Sequence, residues 1–378
     1  MELVLKNIQK TYQGRKVLAD LNLSVARGEF HVLLGPSGCG KTTTLAIIAG
    51  LVKPDRGQVI IGGKNVAHLP PSGRRVGLIF QDYALFPHFT VFENIAYGLG
   101  VKKLGKTAIN NRVAHYLQRV NLEEQKDRFP HQLSGGQKQR TALARALVQE
   151  PEILLMDEPM SNLDLPTKEK IGRELKTLQK ETGATAIVVT HNQEEAFLLG
   201  NTVSVLNSGR IEQMDRTAEL FAHPRTEFVA RFLGSNNIIR ASVATLASQE
   251  AILRLHKNSA EWPVPIRVRR YPLFEKRKTI DLCLHPGRIF LEKKDNRTLD
   301  AGVNRLAGTI VRITPGLHAV HVEIDADGLA LNADIASERF AFRLQESVWV
   351  CFRPDALHPL CGKSCREAQP LRKCLHWH

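Results

Sequence analysis

The sequence predicts an α/β domain built on a largely parallel sheet, followed by a small all-β domain. Three observations predict it. Through the first 235 residues, β-branched apolar runs alternate with helical patterns, the order that βα units write into a chain. Several of those runs are apolar without alternation, as strands covered on both faces are. Beyond residue 240 the helical periods give way to short strand-like runs parted by Gly, Pro or Asp.

In chain order, Phe30–Leu34 reads as a buried strand and residues 42–51 as the helix after it. Residues 153–156 and 186–189 read as two further buried strands, and helical periodicity runs over 107–120, 136–148 and 167–182. In the second part, strands are expected at 265–269, 279–284, 308–313, 319–324 and 347–352. Leu282-Cys283-Leu284-His285-Pro286 and Val350-Cys351-Phe352-Arg353-Pro354 share an apolar-Cys-apolar-basic-Pro order, a faint sign of a duplicated strand end. Residues 361–378 lack an apolar period and are expected to form a disordered tail.

A length of 378 residues suits two domains, and 43% hydrophobic with 24% charged residues is ordinary soluble usage, which excludes collagen, coiled coil and general disorder. No run approaches the roughly 18 apolar residues of a membrane span, and the first ten residues lack a signal-peptide pattern, so neither spanning nor export is expected. The six cysteines form no dense framework and suit a reducing compartment. His358, Cys361, Cys365, Cys374, His376 and His378 crowd the end of the chain in a spacing that fits no familiar zinc pattern. The net charge of +14 divides equally between residues 1–235 and 236–378, so the shorter second part is more densely basic. Charge alone leaves nucleic acid, an anionic membrane face and anionic ligands open as partners.

The chemistry is concentrated in short motifs. Gly35-Pro36-Ser37-Gly38-Cys39-Gly40-Lys41-Thr42 is a phosphate-loop pattern between a strand and a helix. Its glycines let backbone N–H groups turn around phosphates, the helix N-terminus adds a positive dipole end, and Lys41 supplies a charge to the β and γ oxygens. Thr42 is placed for Mg²⁺ and Thr43 for the α-phosphate. The strand 153–156 ends in Asp157-Glu158, which delivers two carboxylates to the sheet edge where open parallel sheets bind ligands. Alone, such a pair is more often a helix N-cap; beside the phosphate loop, Asp157 suits the Mg²⁺ shell and Glu158 the polarisation of an attacking water. Leu133-Ser134-Gly135-Gly136-Gln137 opens a helix with two glycines at its positive end, a second phosphate-facing device that one helix cannot turn on its own nucleotide from both sides.

Together the phosphate loop, Leu-Ser-Gly-Gly-Gln and the Asp-Glu strand resemble the ATP-binding subunits of ABC transporters. The resemblance implies a phosphate-loop ABC ATPase domain over 1–235, with a helical subdomain at about 84–148. It also implies a homodimer in which Ser134, Gly135, Gly136 and Gln137 of one copy clamp ATP held by the other. Gln81 resembles the Q-loop glutamine that touches Mg²⁺ and water beside the membrane-subunit contact. Asp164, in Ser161-Asn162-Leu163-Asp164, resembles the D-loop aspartate, His191 the switch histidine, and Tyr12 the aromatic on which adenine stacks. The implied cofactors are ATP and Mg²⁺, with Thr42, Gln81 and Asp157 around the metal.

The stretch from Phe80 to Gly98 is similar to the importer ATPases, and residues 236–360 stand where those carry an oligonucleotide-binding-like (TOBE) regulatory extension. Ser235-Asn236-Asn237-Ile238-Ile239 looks most like the molybdate and tungstate members, so an oxyanion such as molybdate, tungstate or sulfate is the expected cargo, with ferric iron, polyamine and sugar as alternatives. Transmembrane permease subunits and, indirectly, a periplasmic or extracellular solute-binding protein are the implied partners, at the cytoplasmic face of the inner membrane. A soluble ABC ATPase acting on nucleic acid or the ribosome is the rival class; it lacks support because no second phosphate loop and no long heptad run occur, so no nucleic-acid partner is expected. Two departures stand out: Met214-Asp215-Arg216-Thr217-Ala218 replaces a Gly-Thr-Pro turn, and Leu165-Pro166-Thr167 follows Asp164.

Overall fold

The computed structural model describes residues 2–161, 163–257, 260–294, 302–317 and 319–361. The chain divides into two compact units, Met1–Leu220 and Phe221–His378.

The first unit begins with two antiparallel strands, β1 (Leu3–Tyr12) and β2 (Arg15–Val25), then β3 (Phe30–Leu34) and α1 (Lys41–Ala49). It continues with β4 (Arg56–Ile61), β5 (Lys64–Asn65), β6 (Val76–Ile79), α2 (Val91–Val101), α3 (Lys106–Arg119), α4 (Gly135–Leu147) and β7 (Ile153–Asp157). It closes with α5 (Leu165–Thr182), β8 (Thr185–Thr190), α6 (Gln193–Leu199), β9 (Thr202–Asn207) and β10 (Arg210–Arg216), and α7 (Thr217–Ala222) carries the chain across the division. A six-stranded sheet in the order β10-β9-β3-β8-β7-β6 is parallel except at β10, and a four-stranded antiparallel sheet runs β2-β1-β4-β5. The core joins the two: Leu5, Ile8 and Leu21 of the antiparallel sheet, Ile47 and Ile48 of α1, and Leu155 and Ile187 of the parallel sheet are all buried together. Burial of such side chains contributes about 1.5–3 kcal/mol each.

One buried cation supports this layer. Arg74, 2% exposed, donates through Nη1 to Ile47 O (2.7 Å) and Ile48 O (3.0 Å), and through Nε and Nη2 to Leu69 O and Ala67 O. The two bonds to Ile47 O and Ile48 O help satisfy the last carbonyls of α1, and the other two tie in the loop after β5.

The second unit contains α8 (Glu227–Phe232), β11 (Asn237–Leu246), β12 (Glu250–Lys257), β13 (Ala260–Arg269), α9 (Leu273–Lys276), β14 (Thr279–Leu284) and β15 (Phe290–Lys293). These are followed by β16 (Asn304–Pro315), β17 (Ala319–Ala326), β18 (Leu329–Ala336), β19 (Ser347–Phe352) and β20 (Leu357–Pro359). The two five-stranded sheets, β13-β12-β11-β14-β20 and β18-β17-β16-β19-β15, have the same plan. Each takes its last strand from the other half: β15 follows β14 but pairs with β19, and β20 follows β19 but pairs with β14. The echo at Cys283 and Cys351 marks these crossings, since both strands end in a Pro-led 3-10 turn, Pro286–Arg288 and Pro354–Ala356.

A matching pair of buried asparagines closes the exchange. Asn237, first in β11, bonds the backbone of Asn332 in β18 through both amide atoms at 2.7 Å. Asn304, first in β16, does the same to Arg267 in β13, again at 2.7 Å. The second unit is therefore a two-fold repeat around one continuous core, in which Leu253 and Leu282 of one sheet meet Val322 and Val350 of the other.

The units divide before the junction expected at residue 235. The physical reason is α8, whose Ala230 packs with Cys283 and Leu360. Cys361 belongs to this unit as well: it is buried, and its N–H donates to Arg225 O, so the tail expected from 361 begins no earlier than 362. The expectations for residues 362–378, including Cys365, Cys374, His376 and His378, lie outside the described residues. Among the described residues no disulfide joins Cys39, Cys283, Cys351 or Cys361. Among the described residues no helix is long and apolar enough to cross a membrane, and no cluster of His, Cys, Asp or Glu has the geometry to hold a metal ion by itself.

Candidate active site

The register of the parallel sheet sets the site. Leu34 lies opposite Thr190, Asp157 opposite Val189, and Ile79 opposite Met156, so Gly35, His191, Glu158 and Gln81 all leave the sheet at its carboxyl edge. Sequence-distant groups converge there because four strands end at one level.

The phosphate loop turns between β3 and α1. Gly38 (φ 76°) and Gly40 (φ 110°) hold left-handed conformations that favour glycine, and a Cβ on Gly40 would stand 2.7 Å from Leu18 Cδ2. At Gly35 a Cβ would meet Leu206 O at 2.4 Å, so the cradle is packed too tightly for any side chain. Lys41 is 7% exposed, and its Nζ donates to Gly35 O (2.8 Å) and Pro36 O (3.0 Å) across the loop. Ser37, Gly38 and Thr42 face solvent, and Thr43 is half-buried. Cys39 differs from its neighbours, for its thiol is buried in the core and burial pushes its pKa up; within the motif it can offer a ligand only backbone.

The Thr42 hydroxyl lies beside the Asp157 carboxyl. Burial raises the pKa of Asp157, with the Thr42 hydroxyl opposing and the neighbouring Glu158 charge adding to the rise. A hydroxyl and a carboxylate brought together beside a second carboxylate are the hard oxygen donors that Mg²⁺ takes, and a cation would relieve the crowding of negative charge. The residues present therefore fit Mg²⁺.

Glu158 is in the left-handed region at φ 44°, where a side chain costs free energy, and its N–H donates to Val189 O at 2.9 Å. This sharp departure from β7 lets Glu158 Oε1 lie 2.8 Å from His191 Nδ1, at the end of β8. His191 is half exposed while Glu158 is largely covered. A carboxylate oriented by an imidazole at the mouth of a phosphate cradle can take a proton from a water.

The remaining sequence-predicted residues surround this centre. Gln81 is exposed just past β6. Tyr12, 43% exposed, is at the tip of the β1–β2 hairpin, and Lys10 Nζ lies 5.3 Å from its ring centroid. That hairpin reaches the phosphate loop through Val17 and Leu18, which border Gly40. Asp164 begins α5, and hydrogen bonding to Thr167 holds its carboxyl below the usual range.

Ser134 caps α4 by accepting from Gln137 N (3.3 Å), and Gln137 Oε1 accepts from Ser134 N (2.9 Å), a capping box that leaves the helix start exposed. At Gly135 and Gly136 an added Cβ would make ordinary 3.5 Å contacts with Leu163 and Ile171, so packing within the chain does not demand glycine there. Bare backbone at a helix N-terminus suits an anion arriving from outside. Among the described residues, no hydrogen bond or ion pair joins Tyr12 or Ser134–Gln137 to Lys41, Asp157, Glu158 or His191.

Sequence reading missed the residues that hold Gln81's loop. Tyr83 (φ 64°) and Ala84 (φ 43°) are consecutive left-handed residues, and the Arg145 guanidinium of α4 donates to both carbonyls at 2.7 Å. Fully buried Asn94 donates to Phe86 O, Phe89 O and Thr90 O and accepts from Phe86 N. No local motif announces Arg145, because it acts on carbonyls 61 and 62 residues away; Asn94 acts within eight residues, but nothing in its spacing marks it as the one that is buried.

The ABC transporter family profile matches residues 18–161, which span the phosphate loop to the start of the Asp164 loop. The spermidine/putrescine import ATP-binding protein PotA of Acetivibrio thermocellus is 42% identical over 319 residues, covering 83% of this chain and 84% of that one. Its namesake in Haemophilus influenzae is 40% identical over 296 residues and 77% of each chain. Among solved structures, a dimeric ATP-binding cassette in a post-hydrolysis state bound to ADP and Pi is 37% identical with a TM-score of 0.52, covering 57% of this chain and 98% of that one. The cbiO1 protein of Clostridium perfringens, part of the ABC transporter complex cbiONQ, is 32% identical with a TM-score of 0.55, covering 58% and 90%. With these motifs on that fold and a relative this similar over most of its length, the chain belongs to the ATP-binding subunits of ABC importers, ATPases whose hydrolysis is coupled to transport.

Proposed function

We propose that this chain is the ATP-hydrolysing subunit of a polyamine importer, working as half of a homodimer beneath separate permease subunits at the cytoplasmic face of the membrane. The cargo reading is supported by relatives named for spermidine and putrescine import that match most of both chains. It replaces the oxyanion expected from Ser235–Ile239, a five-residue likeness set against relatives that match most of both chains.

The chemistry rests on one observation: Glu158 and His191 meet at 2.8 Å where Thr42 and Asp157 meet the phosphate loop. Backbone N–H groups from Gly35 to Thr43 and the Lys41 ammonium receive the triphosphate, and Tyr12 receives adenine. Thr42 and Asp157, with Gln81 nearby, would hold Mg²⁺, which would supply positive charge to the phosphate oxygens. Glu158 takes the proton of the attacking water, and His191 fixes its carboxylate. Ser134 to Gln137 of each copy close on the nucleotide of the other, with Asp164 beside the same interface; the bare backbone at Gly135 and Gly136 supports this. A solute-binding protein outside the cell delivers the cargo.

Glu158→Gln is expected to lower ATP turnover by roughly 10²–10⁴-fold while ATP binding persists, and an unmodified rate would remove the proton-accepting role. For cargo, hydrolysis is measured with permease and binding protein reconstituted in vesicles. Stimulation by spermidine or putrescine is expected; stimulation by molybdate, sulfate or ferric iron without polyamine would overturn the reading.

A further inference from the structure

Behind His191 lies a network that the hydrolytic site does not itself use. Lys168, in the first turn of α5, places Nζ 3.1 Å from Glu195 Oε1 in α6, and the two side chains are 17% and 4% exposed. The other oxygen of Glu195 accepts the Thr190 hydroxyl at 2.7 Å. Thr190 Oγ1 in turn accepts the Asn192 N–H at 3.0 Å, and Asn192 Oδ1 accepts the Glu195 N–H at 3.0 Å. His191 is therefore flanked on both sides by residues of one closed network, while its ring meets Glu158.

Capping α6 requires only Asn192. A buried carboxylate adds a desolvation cost that an apolar residue at 195 would avoid, and removing its partner leaves an uncompensated charge. What the ion pair adds is a tie between two helix starts: α5, which begins at Asp164, and α6, which begins after His191. A shift at the first turn of α5 is thus carried through Glu195 and Thr190 to the backbone of His191.

We propose that Lys168 and Glu195 are positioning residues for ATP hydrolysis, acting through Thr190 on the placement of His191 against Glu158. The proposal rests on the hydrolytic assignment of Glu158 and His191. None of the three residues Lys168, Glu195 and Thr190 bonds the phosphate loop among the described residues, so the network governs the rate of the chemical step and leaves nucleotide binding alone.

The test measures kcat and KM for Mg-ATP with the full chain, with ATP affinity taken separately by equilibrium binding. Lys168→Met and Thr190→Val are each expected to lower kcat by about ten- to a hundred-fold, the effect of misplacing a catalytic group by an ångström or less. ATP affinity stays within about two-fold, the pattern of a contact made for the transition state alone. The double variant falls no further than the worse single, because both cut one chain. Lys168→Arg recovers most of the rate lost in Lys168→Met. In a His191→Ala background, Lys168→Met adds no further loss, which a general packing defect would add.

An unmodified rate in Lys168→Met, a loss that multiplies with that of His191→Ala, or ATP affinity falling in step with the rate overturns the proposal. Should Lys168→Met not fold, Thr190→Val, which keeps the side-chain shape, reads the same chain. If His191→Ala itself turns over normally, the hydrolytic assignment falls and this proposal with it. If His191→Ala is impaired while Lys168→Met and Thr190→Val are not, only the positioning network falls.

Discussion

Acidification from pH 7 to pH 5 is expected to destabilise the first unit through His31. This histidine is the second residue of β3, fully buried, one strand-length below the phosphate loop. Its tautomer follows from its neighbours. The Thr202 hydroxyl donates to Glu29, so its oxygen accepts from His31 Nδ1 at 2.7 Å. Nε2 then carries the lone pair, and it has no hydrogen-bond partner. A proton there would be a buried charge with an unanswered donor, and burial lowers the pKa from 6.5 to about 3. Unfolded chain takes up a proton near 6.5 while the folded unit refuses it until about 3, so stability is full above 6.5 and falls as pH drops through that window. At pH 5 the unfolded histidine is almost wholly protonated and the folded one almost wholly neutral, which costs about 2 kcal/mol relative to pH 7. Urea unfolding is followed by far-ultraviolet circular dichroism, which sees both units, and by tryptophan fluorescence, which reports the second because Trp262, Trp349 and Trp377 all follow residue 220; the first unit is the dichroism change that fluorescence does not share. His31→Leu removes the titrating group and should flatten the pH slope by that amount. An unchanged slope in His31→Leu, or stability rising toward pH 5 in the unmodified chain, would refute the reasoning.

The other expectations follow from the same structure. His358, buried with its pKa lowered to about 4 by desolvation, should give the second unit an acid sensitivity of about 2 kcal/mol between pH 7 and 5, read by tryptophan fluorescence and absent in His358→Leu. Arg145→Met loses two charge-assisted bonds and should cost the first unit about 2–4 kcal/mol in urea unfolding, with Ala84→Gly recovering part by relieving the left-handed backbone. Asn237→Ala and Asn304→Ala each strip two bonds from a buried backbone pair, so each should destabilise the second unit by about 2–3 kcal/mol. The two-fold repeat predicts that the two costs agree within about 1 kcal/mol, and a large asymmetry would show that the pairs are not equivalent.

What the sequence determined by itself was the chemistry. Gly35 to Thr42, Asp157-Glu158 and Ser134 to Gln137 are legible because phosphate binding needs backbone N–H groups in conformations that few residues adopt, and because consecutive residues at a strand end arrive at one edge together. The strand at Phe30–Leu34 was likewise visible as a mainly apolar run around His31, and the strand at Thr185–Thr190 from its apolar centre at 186–189. The N-terminal antiparallel sheet was not, since Leu3–Tyr12 interleaves Lys, Asn and Gln with its apolar residues and takes its order from pairing with β2 and β4. Only the tertiary structure decided what holds the site. Arg145 acts on carbonyls 61 and 62 residues away, and Lys168 joins Glu195 across two helices, so no local spacing encodes either contact. The five-residue echo at Cys283 and Cys351 announced a repeat, but its meaning, two sheets exchanging their last strands, exists only where β15 meets β19 and β20 meets β14. Motifs are written in consecutive residues because backbone conformation is local; support is written in the packing, because a side chain's partner is set by which surfaces the fold brings together.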